Sequence, residues 1–316
     1  MWTPIRPGIR AVFPPGIKIS QFLSYKSYKP LDFPKSVFIF TEIDNDYEIV
    51  NVLEEGIIQK IILSKNKKSQ NHILIKLIDL KKLDKDGITM MSEEGKLVSE
   101  LAHPNITNFI SFKIINDRAY IIMDYIDGVT LQNKINEFKK EKKNFSEMDI
   151  LNYIIEISEG IKFINDTGIV HRLLKPKKIF LTQDNHIKLS DFGFASILEE
   201  QYKSDKIDKE NIIYYSPELL NEEISDLTSD AWNIGIILYY LTQLKHPFDD
   251  NNIDKIMENI SNGKYHSLTN NNYSNDLLQL IENLLLVNPE ERYEIIDIIN
   301  ECELIKLKNI LGPNSK

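Results

Sequence analysis

Two short stretches carry the side chains whose types and spacing bear on chemistry. The first reads His171-Arg172-Leu173-Leu174-Lys175-Pro176-Lys177-Lys178, and the second Asp191-Phe192-Gly193. An apolar pair, Ile169-Val170, leads into the His-Arg turn, and a short hairpin of apolar residues separates the turn from Asp191, which stands beside a glycine hinge. Asp191 supplies a carboxylate able to hold a cation. The lysines cannot do that, because a protonated ammonium donates hydrogen bonds and repels metal ions. Neither Leu173 nor Leu174 has a lone pair, the lysines that follow cannot accept a proton at neutral pH, and no acid stands in this turn.

These residues need elements to position them. From Tyr47 the chain shows strand-length, β-branched runs at Ile49 to Leu53, Ile57 to Leu63 and Ile73 to Ile78, which predict an antiparallel meander. A helix is predicted over about 89–101, another strand from Tyr120 to Met123, and a helix from near Thr130. Ser146-Glu-Met-Asp149 is a capping box, and Ile150, Ile154, Ile157, Ile161 and Ile164 then fall on one helical face that delivers the chain into His171. Further apolar periodicity predicts helices near Asp276 to Leu286 and Glu294 to Ile310. Residues 1–44 contain Pro-Gly and Pro-Pro-Gly turn signals and little periodicity, so they read as an extension packed on the domain or partly disordered. The lysine run from 139 to 143 reads as a solvated face.

Composition sets the limits. The chain has 316 residues, 42% of them hydrophobic, enough for one large or two moderate domains. A net charge of −9 argues against a nucleic-acid partner recognised through phosphate neutralisation. One cysteine, Cys302, permits no internal disulfide and suits a reducing, cytoplasmic setting. No signal peptide is recognisable at the N-terminus, and no apolar run approaches the roughly 20 residues of a membrane span.

The order and spacing of these features resemble the protein kinases, in the serine/threonine branch, whose pattern is H-R-D-L-K-P-x-N followed by D-F-G. Lys76, Glu94, Met123, His171, Lys175, Asp191, Glu218, Asp230 and Arg292 occur in the family's order. The resemblance implies an α+β, two-lobed fold spanning 45–312, with an antiparallel sheet and one helix in the first lobe (about 45–124) and a mostly helical second lobe (about 127–312). It implies an ion pair between Lys76 and Glu94, with Glu93 as competitor, and a nucleotide site of Gly56, Ile61, Leu74, Lys76, Glu94, Met123, Tyr125, Lys178, Phe180 and Asp191. It also implies scaffold roles for His171, Arg172, Phe192, Gly193, Asp230 and a buried Glu218–Arg292 pair.

The departures from the pattern bear on function. Leu173 stands in place of the catalytic aspartate, and Lys178 in place of the asparagine that holds a second magnesium. Only Gly56 remains of the glycine-rich phosphate loop, with Glu54 and Glu55 beside it where they would repel phosphates. Leu74 replaces the small residue that roofs the adenine, and Asn211 replaces a threonine that bridges the catalytic aspartate and lysine. Lys178 could pair with Asp191 or sit near the phosphates in a metal's stead. From the ~1–100 s⁻¹ of working kinases, combined losses of at least ~10⁵-fold leave turnover slower than about one per hour. The sequence therefore predicts a pseudokinase that engages protein partners, with weak or absent ATP binding and the magnesium question open. The alternative is a serine/threonine kinase of low or atypical activity.

Overall fold

The computed structural model describes residues 45–56, 59–171, 173–190, 209–221, 227–269 and 273–312, without the side chains of Met90, Glu94 and Leu97. Arg172, Asp191, Phe192 and Gly193 lie outside the described residues, as does the side chain of Glu94.

The first lobe is a five-stranded antiparallel sheet of β1 (Tyr47–Glu55), β2 (Gln59–Asn66), β3 (His72–Asp79), β4 (Phe109–Ile115) and β5 (Arg118–Asp124), in the order β1-β2-β3-β5-β4. The meander read from the sequence forms its first three strands. β4 and β5 join through Asn116 and Asp117, both at positive φ, as a two-residue hairpin of the primed type requires. Helix α1 (Lys85–Val98) starts four residues earlier than the sequence predicts, because Asp84 Oδ1 accepts a hydrogen bond from Gly87 N at 2.8 Å and caps its first turn.

The second lobe opens with β6 (Gly128–Thr130), which joins β7 (Ile179–Thr182) and β8 (Ile187–Leu189) in a small antiparallel sheet. Its helices are α2 (Leu131–Glu141), α3 (Glu147–Asp166), α4 (Lys209–Ile212), α5 (Pro217–Leu220), α6 (Leu227–Gln243), α7 (Ile253–Ser261), α8 (Asn275–Leu284) and α9 (Ile295–Leu311). Ser146 caps α3 by accepting from Asp149 N at 3.0 Å, and the five isoleucines of its apolar face are all fully buried. Helix α6 is buried on every side from Ser229 to Thr242, so it forms the centre of the lobe rather than a wall. Gly235 permits this: a Cβ there would stand 2.7 Å from Leu284 Cβ on α8. The lysine run from 139 to 143 is exposed along its length, as expected of a solvated face, and Lys139 also lies over the Tyr240 ring at 4.6 Å and donates to its hydroxyl at 3.0 Å. The fold is the two-lobed α+β arrangement, and among the described residues no helix is long and apolar enough to cross a membrane.

Candidate functional site

The loop that carries His171 is held from below by α6. Asp230 Oδ2 accepts from His171 N and from Asn165 Nδ2, each at 3.0 Å, and Asn165 Nδ2 also reaches Ile169 O at 3.0 Å. One turn along the same face, Asn233 Oδ1 accepts from Leu174 N at 3.1 Å while its Nδ2 donates to Tyr214 O at 2.6 Å. Helix α6 thus fixes the loop at two points and ties it to the segment before Glu218. Asn165 and Asn233 were not singled out in the sequence. The signal for Asn233 was its position three residues after Asp230, on the same helical face.

Leu173 is 2% exposed and belongs to the main hydrophobic core, with its N–H donating to His171 O at 2.8 Å. It presents no polar atom at the position where the family pattern has its base. Lys175 Nζ donates to Asn211 Oδ1 at 2.5 Å, so the lysine half of the family's bridge persists through an amide oxygen, a link the substitution by Asn seemed to remove. Lys177 pairs with Glu210 and holds that carboxyl below its ordinary range. The Lys178 carbonyl accepts from Ser190 N at 2.9 Å and Ser190 Oγ at 3.0 Å, which fastens the loop to the residue preceding Asp191. The choice between a Lys178–Asp191 pair and a phosphate contact lies outside the described residues.

In the first lobe Lys76 is 2% exposed on the inner face of the sheet, flanked in register by Ile61 and Ile121. Leu63, Leu74 and Met123 form the neighbouring rung of that face, and Leu74 packs against the core. Tyr125 is half-buried, its ring 6.1 Å from that of His72, and Phe180 is half-buried on β7. At the β1–β2 turn, the Gly56 N–H donates to Gln59 O at 2.8 Å. Gln59 Nε2 donates to Glu54 Oε1 at 3.2 Å, and Lys60 pairs with Glu55. These bonds cross the hairpin, and the glycine N–H that a phosphate would need is already used, although Gln59 Oε1 is buried without a partner among the described residues.

A divalent metal fits the described part of the site poorly. Lys178 stands where one ligand belongs and cannot ligate, and among the described residues no three His, Cys, Asp or Glu side chains converge.

Farther from the cleft, Arg292 donates to Glu218 through Nη1 at 2.9 Å and Nη2 at 3.1 Å, and also to the carbonyls of Thr228 and Leu286. Ser229 Oγ donates to Glu218 Oε1 at 2.8 Å. Burial raises the Glu218 pKa, but the bonds and charge of Arg292 outweigh it and hold the carboxyl below its ordinary value.

A lobe of sheet and one helix, a helical lobe wound on a buried central helix, and a His-led loop pinned by Asp230 define a protein kinase domain. The family model of that description matches residues 47–302, and the chain belongs to this family. It is 32% identical over 256 residues to serine/threonine-protein kinase Nek5 of Mus musculus, covering 81% of this chain and 40% of the relative. It is 34% identical over 270 residues to probable serine/threonine-protein kinase nek3 of Dictyostelium discoideum, covering 84% and 24%. Against serine/threonine-protein kinase nekl-2 of Caenorhabditis elegans it is 30% identical over 266 residues, covering 81% and 74%. The chain spans well under half the length of the first two relatives.

Proposed function

We propose that this kinase domain is a pseudokinase that acts by binding protein partners in the cytoplasm, with residues 45–312 as the domain and weak or absent ATP binding. The observation that carries the reading is Leu173: an apolar side chain occupies the base position and is packed into the core. Loss of a general base costs ~10²–10⁴ in rate by itself. Three features support it: the Gly56 N–H already bonded to Gln59 O at the β1–β2 turn, the ammonium of Lys178 at a metal-ligand position, and the apolar rung at Leu74 and Met123.

The second reading, a serine/threonine kinase of low activity, draws on the names of the relatives and on the Lys175–Asn211 bond, which keeps the loop joined to the segment before Glu218. Transfer of radiolabel from ATP to a generic protein substrate separates the two. No transfer above background is expected, whereas transfer that disappears in Lys76→Met overturns the pseudokinase reading. A melting series with ATP, with and without magnesium, tests nucleotide binding directly. Ligand at 100 times its Kd adds about 2.7 kcal/mol of stability, so an unchanged Tm is expected and a clear upward shift refutes weak binding.

A further inference from the structure

Helix α9 presents two apolar faces with different surroundings. On the inner face Ile295, Ile298, Cys302 and Ile305 are buried. Asn309 Nδ2 on the same side donates to Glu147 Oε1 at 2.9 Å, which fastens the end of α9 to the start of α3. The outer face is different. Nine large apolar side chains are exposed among the described residues, and five of them, Ile296, Leu304, Leu307, Ile310 and Leu311, lie on α9. Leu304, Leu307 and Leu311 are 43%, 51% and 57% exposed. Together with the exposed Asn300 they follow spacings of four, three and four, which line them up along the side opposite Cys302 and Ile305. The three leucines also lie past residues 47–302, so the part of the chain that the family shares does not account for them. Single exposed apolar residues are ordinary, but a contiguous stripe on a firmly held helix marks a contact site.

We propose that this face of α9 pairs with the same face of a second copy of the chain, the two helices running antiparallel about a two-fold axis. The distribution of charge argues for this occupant. Asp297, Glu301 and Glu303 precede Leu304, whereas Lys306 and Lys308 follow it. A helix acidic at one end and basic at the other complements its own copy when reversed, and the two helix dipoles then oppose as well. In the register that sets Leu304 of one copy beside Leu307 of the other, Asn300 faces Leu311 and the flanking Glu301 faces Lys308, each contact occurring twice. Lys308 Nζ donates to Asp276 Oδ2 at 2.6 Å within its own chain, and an ammonium has further donors for a second carboxylate. Lys306 bonds to Glu303 of its own helix at 3.1 Å and lies to one side of the stripe. Parallel pairing would instead gather the three carboxylates of both copies at one end. Because the inner face already holds α9 in place, association does not have to order the helix first. A stripe of this length makes a small interface, so the dimer is weak and depends on concentration. The pairing is independent of whether the domain binds nucleotide.

Sedimentation velocity of the full chain over a wide concentration range tests this. A shift from monomer toward dimer is expected, weakened at least about tenfold by Leu307→Glu and, separately, by Leu304→Glu. Both variants keep the circular dichroism spectrum of the folded chain, because neither side chain is buried. Ile114→Glu, an equally exposed position on β4 of the first lobe, leaves association unchanged. Orientation is read by oxidising an equal mixture of Leu304→Cys and Leu307→Cys proteins, in which the buried Cys302 does not compete. Disulfides joining the two variants are expected in excess over self-linked forms. A chain that stays monomeric at every concentration overturns the proposal and assigns the stripe to a different protein. A dimer that both glutamate variants leave intact overturns it too, and an excess of self-linked Leu304→Cys overturns the antiparallel arrangement.

Discussion

Replacing Glu218 by Gln tests how far the second lobe depends on one buried ion pair. The side chain of Arg292 is 0% exposed and that of Glu218 is 4% exposed, so no solvent relieves either charge. Glu218→Gln keeps the shape and one acceptor oxygen but removes the charge, leaving a guanidinium buried against the carbonyls of Leu286 and Thr228. Breaking a buried pair on one side costs about 3–5 kcal/mol. At roughly 2–4 °C per kcal/mol for a domain of this size, Tm falls by about 6–20 °C. The fall persists at high salt, because a pair this deep is not screened. The exposed pair Lys308–Asp276, at 2.6 Å, is the control, and Lys308→Met changes stability by no more than about 1 kcal/mol. Calorimetry or a dye-based melt in low and high salt measures both variants. A loss under about 1 kcal/mol for Glu218→Gln, or a loss that vanishes with salt, refutes the argument that this pair anchors α5 against α6 and the turn before α9.

Three further outcomes are expected. His246 is buried, and burial drives its pKa down to about 3. Its stabilising contribution is complete above the unfolded value near 6.5 and is lost as pH falls from there toward 3, at up to about 1.4 kcal/mol per unit. Chemical denaturation of His246→Phe between pH 4 and 7 therefore shows a shallower pH dependence than the parent, and an identical slope counts against the assignment. Leu173→Ala lowers stability by about 2–5 kcal/mol, as for other large-to-small core changes, and a neutral result in urea titration would mean that the side chain does not fill the core. Gly235→Ala forces α6 away from Leu284 and costs about 1–3 kcal/mol, read as a drop in urea midpoint at unchanged slope.

Much of the fold was legible because its strongest signals are periodic. The isoleucine stripe of α3 repeats at helical spacing and is buried as a stripe. β4 was harder, since the register shift between Phe109 and Ser111 breaks the alternation that would have marked Phe109-Ile-Ser-Phe as a strand. The start of α1 was obscured by Gly87, which reads as a break although Asp84 caps the turn around it. The run Ile73 to Ile78, apolar except for Lys76, marked β3 as a strand, and Lys76 sits within it between Ile61 and Ile121 on the inner face. Within the site, Leu173 and Lys178 stand out because they differ in chemistry from the family pattern. The contacts that link Glu54 to Gln59, Glu55 to Lys60 and Gly56 to Gln59 were not visible, because they depend on directions across a hairpin. The Lys175–Asn211 bond was hidden for a similar reason: a substitution that looks like a loss kept an oxygen within reach.

The burial of Leu173 also bears on reversibility. An acid at this position would now enter a site closed by core packing, where an unpaired carboxylate costs several kcal/mol. On the pseudokinase reading proposed above, a well-packed apolar side chain has turned a catalytic position into a structural one. Single-step return is then opposed by folding itself, whatever advantage activity would bring. Neighbouring residues would have to loosen first, each at its own loss of stability, before the acid could be accommodated. On that reading the leucine acts as a ratchet, and a domain that has passed it is more readily modified at its surfaces than restored at its centre.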